Sequence, residues 1–439
     1  MQIKRVWALN LYGGLDLDFK LHQGINLLVG INGSGKTTAL NIINWLLTLN
    51  IEGLATTEFT EVGVELSNGS TQLIKLRCSQ SSTDMHIHGQ FGTEKLSPIH
   101  VRLHALPLGF QDSQEAREEL RQRYSQLSPE PSEEPLWSRI MQMNKPLAIL
   151  LDRTIAVQEG GFLNFDDGRK VIVRGRTKPV GEPTNHVQSI ARDRYAAYQS
   201  QLIKLNDKLK AKLITSSFET GIPSKRTALL TLDQITTIEK KLQNRMSAWN
   251  TESADTSGVK KYFQRIREVV ESLNQSSDTK KSVAVINKFF ADEMKRITSL
   301  SDAFDEFESS SKLLYEPLRI YLESLNHFFR DSGKELIFSD TNNKLYFRFR
   351  KTNKPDLKSV SFLSSGERQL LILLTYIAFP PSTSSIFIID EPELSLHPKW
   401  QHELLSSIEK VMGSKTQMII ATHSPEIVGR NLERCVQMK

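Results

Sequence analysis

Over the first 30 residues apolar positions recur at strand-like spacing. Ile3, Val6, Leu9 and Leu11 form one run, and Leu15, Leu17, Phe19 and Leu21 a second, with Gly13-Gly14 between them. This predicts a hairpin leading into a buried strand at residues 25–29, Ile-Asn-Leu-Leu-Val. A glycine-rich loop follows, and the pattern then predicts a helix over 38–49. Alternation returns at 62–66 and 72–77, with Asn68-Gly69 as a tight turn. Residues 112–144 are rich in Glu, Gln, Ser and Pro and predict a short polar helix and a surface loop. The apolar run at 146–151 predicts another buried strand, ending at Asp152-Arg153.

From about Val187 to Phe329 the period changes. Tyr195, Tyr198, Leu202, Leu205, Leu209 and Leu213 step by three and four, as do Leu314, Leu318, Tyr321, Leu325 and Phe328. Breaks fall near Gly221-Ile222-Pro223 and at 251–258. Periodic runs of this length predict a compact helical insertion rather than a long coiled-coil arm. Strand character resumes at 335–338, 344–350, 385–389 and 417–421.

Composition narrows the class. A chain of 439 residues with 39% hydrophobic and 24% charged residues can bury a large core. No apolar run is long enough for a transmembrane helix, and the N-terminus lacks the apolar run of a signal peptide. Cys78 and Cys435 form no spaced cluster, which excludes a cysteine-based zinc site and fits a reducing cytoplasm. The net charge is +6. Segment 187–250 alone holds eleven basic and five acidic residues, Lys204, Lys208, Lys210, Lys212, Lys225 and Arg226 among them. A second basic run is Arg169, Lys170, Arg174, Arg176 and Lys178. Such segments serve as nucleic-acid or acidic-protein surfaces, or simply as solvated helix faces.

The chemistry begins at the glycine-rich loop. Gly30-Ile31-Asn32-Gly33-Ser34-Gly35-Lys36-Thr37 fits G-x-x-x-x-G-K-[ST] between a predicted strand and a predicted helix. Backbone N–H groups of such a loop cradle phosphate oxygens, and the helix N-terminus adds positive charge. Lys36 is expected to reach the β- and γ-phosphates of ATP, and Thr37 to ligate Mg²⁺. The apolar strand from Ser385 ends in Asp390-Glu391. Asp390 is expected to bind Mg²⁺, directly or through water, and Glu391 to polarise the attacking water. Two dozen residues earlier, Leu363-Ser364-Ser365-Gly366-Glu367 opens a helix with Ser364 or Ser365 as N-cap, a second phosphate site. His423, in Ala421-Thr422-His423-Ser424-Pro425 after another apolar strand, is placed to contact a γ-phosphate.

In this order the motifs resemble those of the ABC-type ATPases, in the branch that holds RecF, the SMC proteins and the OLD family. The resemblance covers about 1–186 and 331–430. It implies an α/β fold: a P-loop NTPase head of mixed sheets flanked by helices, split by a compact helical insertion. The parts would be 1–186 with Walker A, 187–330 as the insertion, and 331–439 with the signature, Walker B, D-loop and switch histidine. It makes Gly30 to Thr38 Walker A and Ser385 to Glu391 Walker B. Ser364, Ser365, Gly366 and Glu367 become the signature, Glu391 the catalytic base and His423 the switch histidine. Glu393-Leu394-Ser395-Leu396-His397-Pro398 resembles the D-loop. The family sandwiches two ATP molecules between heads, signature facing Walker A, which implies homodimeric heads or a larger ring. In place of the aromatic-Arg pair often found in RecF-like proteins, the first hairpin has Leu11-Tyr12-Gly13-Gly14, with Arg5 the nearby candidate for an arginine finger. Gln111 and Gln158 are candidates for the Q-loop.

Within that branch, a chain ending 16 residues after His423 is expected to carry no nuclease domain after the ATPase. The wording Glu-Pro-Glu-x-x-Leu-His-Pro and Ala-Thr-His-Ser-Pro resembles stand-alone phage-defence ATPases of the PARIS and Septu types. That resemblance implies a cytoplasmic, membrane-free sensor scaffold, controlling a separately encoded nuclease or toxin, with a phage protein or nucleic acid as trigger at the basic insertion. The other reading is a RecF-like, ATP-dependent DNA clamp.

Overall fold

The computed structural model describes residues 1–69, 72–104, 114–149, 155–157, 161–163, 171–173, 176–178, 183–218, 233, 235–240, 243, 256–275, 280–350, 356–380 and 385–438. Gln111, Gln158, Arg169, Lys170, Arg174 and the break at 221–223 lie outside the described residues. The chain divides into two compact units, Met1–Tyr195 with Leu318–Lys439, and Ala196–Pro317.

In the first unit, β1 (Gln2–Leu11) and β2 (Leu15–Lys20) form the expected hairpin. They join β4 (Glu61–Asn68), β5 (Gln72–Gln80), β6 (Asp84–Phe91), β7 (Glu94–Lys95) and β8 (Ile99–Arg102) in a seven-stranded antiparallel sheet. The strands at 84–102 were not anticipated. Met85, Ile87 and Phe91 point inward along β6, but Gly89 takes the remaining inward position and His86, His88 and Gln90 fill the positions between.

The second sheet runs in the order β11 (Gly161–Leu163), β10 (Ile155–Val157), β9 (Leu147–Ile149), β17 (Ile386–Asp390), β18 (Gln417–Ala421), β3 (Gly24–Val29) and β19 (Cys435–Gln437). From β9 to β19 every pairing is parallel. All five residues of β17 and of β18 are buried, as an unbroken apolar run in a doubly covered parallel strand requires. Helix α1 (Lys36–Thr48) supplies much of that cover. Its Leu40, Ile43 and Leu47 share one core with Val6, Val62 and Leu76 of the antiparallel sheet and Leu28, Ile388 and Ile419 of the parallel one. The buried Gln417 amide ties the two sheets. Its oxygen accepts from Ile3 N at 2.7 Å, and its nitrogen donates to Ile3 O at 2.8 Å and His22 O at 2.9 Å.

After the short α2 (Ile51–Ala55), the predicted polar helix is α3 (Gln114–Ser125). The loop expected to follow it is half helical. Pro135 lies in the first turn of α4 (Glu134–Met141), whose Leu136 and Ile140 are fully buried. Proline is well suited to the first helical turn, where its missing N–H would have no partner. Two short strands, β12 (Val171–Val173) and β13 (Arg176–Lys178), form a separate ribbon.

The helical middle is made of longer pieces than its periodic runs suggested. α5 (Pro183–Phe218) has 36 residues, α6 (Thr256–Gln275) begins inside an expected break, and α7 (Lys280–Phe329) has 50. Polar positions on α7, such as Glu306 and Ser309, interrupt the apolar stripe without ending the helix. Within the second unit Leu209 packs on Ala303, Phe304 and Phe307, with Leu202, Leu205 and Leu213 beside them, so the stepped leucines do form a seam. Lys208 and Lys212 of α5 both donate to Glu306 of α7.

Back in the first unit, β14 (Lys334–Phe338), β15 (Leu345–Phe349) and β16 (Lys358–Ser359) make a small sheet. Three helices complete the unit: α8 (Ser365–Ala378), α9 (Pro398–Val411) and the single turn α10 (Pro425–Val428).

Candidate functional site

Strand register assembles the site. Asp390 pairs with Ala421 across β17 and β18, and Ala421 pairs with Leu28 across β18 and β3. The carboxyl ends of three adjacent parallel strands therefore deliver the 30–37 loop, Asp390-Glu391 and Thr422-His423 to one edge, where open parallel sheets bind ligands.

The loop has the backbone its glycines permit. Gly33 and Gly35 sit at φ 84° and 83°, in the left-handed region open to glycine without strain. A β-carbon on Gly30 would lie 2.6 Å from Ser34 Oγ and 2.8 Å from Met438 O. No side chain caps the first turn of α1, which leaves its N–H groups to an anion. Lys36 Nζ donates to Gly30 O at 2.9 Å, Ile31 O at 3.1 Å and Ser34 Oγ at 3.4 Å. Burial lowers the lysine's pKa, against the pull of Glu391, Asp390 and Glu393.

Asp390 is 5% exposed. Burial, helped by Glu391 and Glu393, pushes its carboxyl up to about 6. The Thr37 hydroxyl is near enough to favour the charged form but outside hydrogen-bond geometry, and neither carboxylate oxygen has a hydrogen-bond partner among the described residues. A buried carboxylate left in this state fits a divalent cation shared with Thr37. Glu391 takes a left-handed φ of 45°, uncommon for a residue with a side chain, while its N–H donates to Ala421 O at 2.9 Å. Its Oε1 lies 3.8 Å from His423 Nε2.

The Ser-Ser-Gly-Glu segment forms a complete capping box. Ser364 is the N-cap: its Oγ accepts from Glu367 N, and its N–H donates to Glu367 Oε2 at 2.8 Å. Ser365 is the first helical residue. Glu367 is buried and also accepts from Ser332 Oγ at 2.7 Å and Lys334 Nζ at 2.7 Å. Burial pushes its pKa up, but Lys334, Ser332 and the Ser364 N–H together hold it below the usual carboxylate range. Gly366 packs on the turn after β17, where an added β-carbon would meet Ser395 O at 2.6 Å. Gln369 Nε2 reaches Pro392 O of the same turn at 3.1 Å.

The family described as "AAA domain, putative AbiEii toxin, Type IV TA system" matches residues 25–429, from the P-loop strand to beyond His423. The chain belongs to this AAA-domain ATPase family. One relative is the retron Ec83 probable ATPase of Escherichia coli, 26% identical over 222 residues, 43% of this chain and 40% of that protein. Another is the retron Vc95 probable ATPase of Vibrio cholerae serotype O1 biovar El Tor, 35% identical over 69 residues, 16% of this chain and 13% of that protein. The chain thus spans less than half the length of the curated relatives it matches. Among solved structures it is similar to an Smc head bound to the C-terminal winged-helix domain of ScpA. There the TM-score is 0.39 and the identity 11%, over 97% of this chain and 91% of that one. A Pyrococcus furiosus Smc head with an extended coiled coil gives 0.36 and 13%, over 100% and 94%.

For this AAA-domain protein, strand pairing brings Gly30 through Thr38 together with Asp390, Glu391 and His423. Of the 364–367 segment, Gly366 meets the turn after β17 at Ser395, while Ser364 and Glu367 bond to each other. Glu367 itself is committed to Lys334 and Ser332, so its part is to hold the helix start. Arg5 is committed as well, in a two-pronged pair with Asp18 at 2.6 and 2.8 Å. Tyr12 of the first hairpin, 61% exposed, reaches the first turn of α1, with its hydroxyl 3.4 Å from Thr38 Oγ1. Tyr12 stands beside Gly13-Gly14, and that turn was its only signal.

Gly366 yields a prediction whose sign is informative. In open space, Gly366→Ala would stabilise α8 by up to about 1 kcal/mol, since alanine is the better helix former. Against a backbone carbonyl it is expected instead to cost about 1–3 kcal/mol in urea unfolding. A gain in stability would show that residue 366 does not press on Ser395.

Proposed function

We propose that this protein is an ATPase whose paired heads report nucleotide state to a separately encoded effector, a nuclease or toxin, in antiphage defence. The observation that carries the ATPase reading is the shared edge of β3, β17 and β18, with the unpartnered Asp390 carboxylate beside Thr37. In this reading the α1 N-terminus and Lys36 bind the β- and γ-phosphates. Thr37 and Asp390 hold Mg²⁺, which supplies positive charge to the phosphate oxygens. Glu391 takes the proton of the attacking water, and His423, beside it, steadies Glu391 and the γ-phosphate. Ser364 and the α8 N-terminus serve the ATP of a second copy, so hydrolysis requires a dimer.

The retron naming of two relatives supports a defence setting. A DNA clamp draws less support from the insertion's basic residues, several of which are already paired. Lys208 and Lys212 share Glu306, Lys210 meets Asp207, and Arg192 meets Asp193.

Turnover per protomer is expected to rise with protein concentration as dimers form, followed by phosphate release and light scattering. Strong, concentration-independent turnover by a verified monomer would overturn the paired-head reading. Tagged protein is expected to copurify with the product of an adjacent gene. ATP-dependent, salt-sensitive duplex binding by the protein alone would favour the clamp instead.

A further inference from the structure

The turn after β17 carries a third carboxylate, Glu393, two residues beyond Glu391. Its Oε1 accepts three hydrogen bonds from three consecutive residues: Thr422 Oγ1 at 2.7 Å, His423 N at 2.7 Å and Ser424 N at 3.1 Å. Those residues are the turn that bears His423. Ser424 closes the frame from the other side. Its Oγ caps α10 by accepting from Ile427 N and donates to Gln401 Oε1 at 2.6 Å. Gln401 Nε2 in turn donates to Leu396 O at 2.9 Å and Glu393 O at 3.3 Å.

Both ends of the His423–Glu391 approach are therefore fixed through one residue. Glu393 sits in the chain turn of Glu391, and its side chain grips the backbone of His423. A carboxylate here carries a cost. It stands close enough to Asp390 to oppose its ionisation. It also adds negative charge where a triphosphate is expected. A side chain whose only task was to fill this space would not need that charge, whereas one oxygen serving three donors is best supplied by an anion.

We propose that Glu393 is a positioning residue for His423, setting the histidine against Glu391 by holding the 422–424 turn. The consequence for catalysis rests on the ATPase reading above; the grip on the turn does not. A misplacement of about 1 Å at a catalytic group can cost on the order of 100-fold in rate.

The test uses the full chain. Glu393→Ala is expected to accelerate amide exchange at His423 and Ser424, read by mass spectrometry. It should lower kcat by about 10–100-fold and leave KM for ATP within about threefold. Glu393→Gln keeps the acceptor oxygen and is expected to restore most of the protection and most of kcat. In a His423→Ala background, Glu393→Ala should cost little further, because the two act as one unit. If Glu393→Ala fails to fold, Thr422→Val removes one donor to Glu393, together with the 3.0 Å acceptor of Ser424 N, and should still speed exchange at 423, whose N–H goes to Glu393. Unchanged exchange in the folded variants overturns the proposal, as does a full additional loss on top of His423→Ala. A wild-type protein without turnover overturns the ATPase reading, and the exchange measurements then judge the grip of Glu393 by themselves.

Discussion

Glu391→Gln is expected to bind ATP as the wild type does and to lose turnover by about 10²–10⁴-fold, the range that removal of a general base produces. Glutamine is nearly isosteric and keeps the hydrogen-bonding reach of the side chain. The backbone of residue 391 is fixed by its bond to Ala421 O, so the left-handed turn should survive. What is lost is the capacity to accept a proton, and with it the carboxylate oxygen that lies 3.8 Å from His423 Nε2. Equilibrium nucleotide binding and single-turnover phosphate release separate the two effects. In light scattering the variant should remain dimeric for as long as ATP is bound. Turnover within a few-fold of wild type would move the base to another residue.

Asp390→Asn is expected to act in opposite directions with and without ligand. Burial first, then Glu391 and Glu393, raises this carboxyl from its ordinary 3.8 to about 6. A group whose pKa is higher in the folded state binds its proton more tightly there. Its contribution to stability is intact below pH 4 and is lost as pH rises through 6, so the ligand-free protein carries the full penalty at neutral pH. At 1.36 kcal/mol per pH unit the penalty is on the order of 2–3 kcal/mol. Asparagine cannot ionise. Unfolding in urea with chelator present should therefore show the variant more stable than wild type at pH 7–8, with the gain shrinking toward pH 4. Adding Mg²⁺ and ATP should stabilise wild type strongly and the variant hardly at all. A variant less stable than wild type at pH 8 would mean that the Asp390 carboxylate is supported by partners other than a cation.

What could be read from the sequence was what is encoded locally. The 30–37 loop is set by glycine and lysine at fixed spacing. The buried strand before Asp390 is an unbroken apolar run. The stepped leucines of α5 mark a true seam. Features that depend on distant partners were harder to reach. Glu367 looks like a phosphate-site residue until Lys334 and Ser332, some 33–35 residues earlier, are seen to occupy it. Glu393 stood inside a recognisable motif, but its three donors lie 29–31 residues downstream. Arg5 reaches Asp18 diagonally across a hairpin whose register, Arg5 opposite Lys20, the alternation alone did not settle. The long helices were underestimated because an apolar stripe can fade for several turns while backbone hydrogen bonding continues.

The position of β3 has a consequence for how the molecule is made. This strand ends at Val29, yet its partners on either side are Gln417–Ala421 and Cys435–Gln437. During synthesis its apolar residues must wait, with both edges unpaired, until residues 417–437 have been made. Such non-local pairing is slow to form and leaves open edges vulnerable to association. The 30–37 loop that follows this strand is thus translated long before the strands that give it its final support.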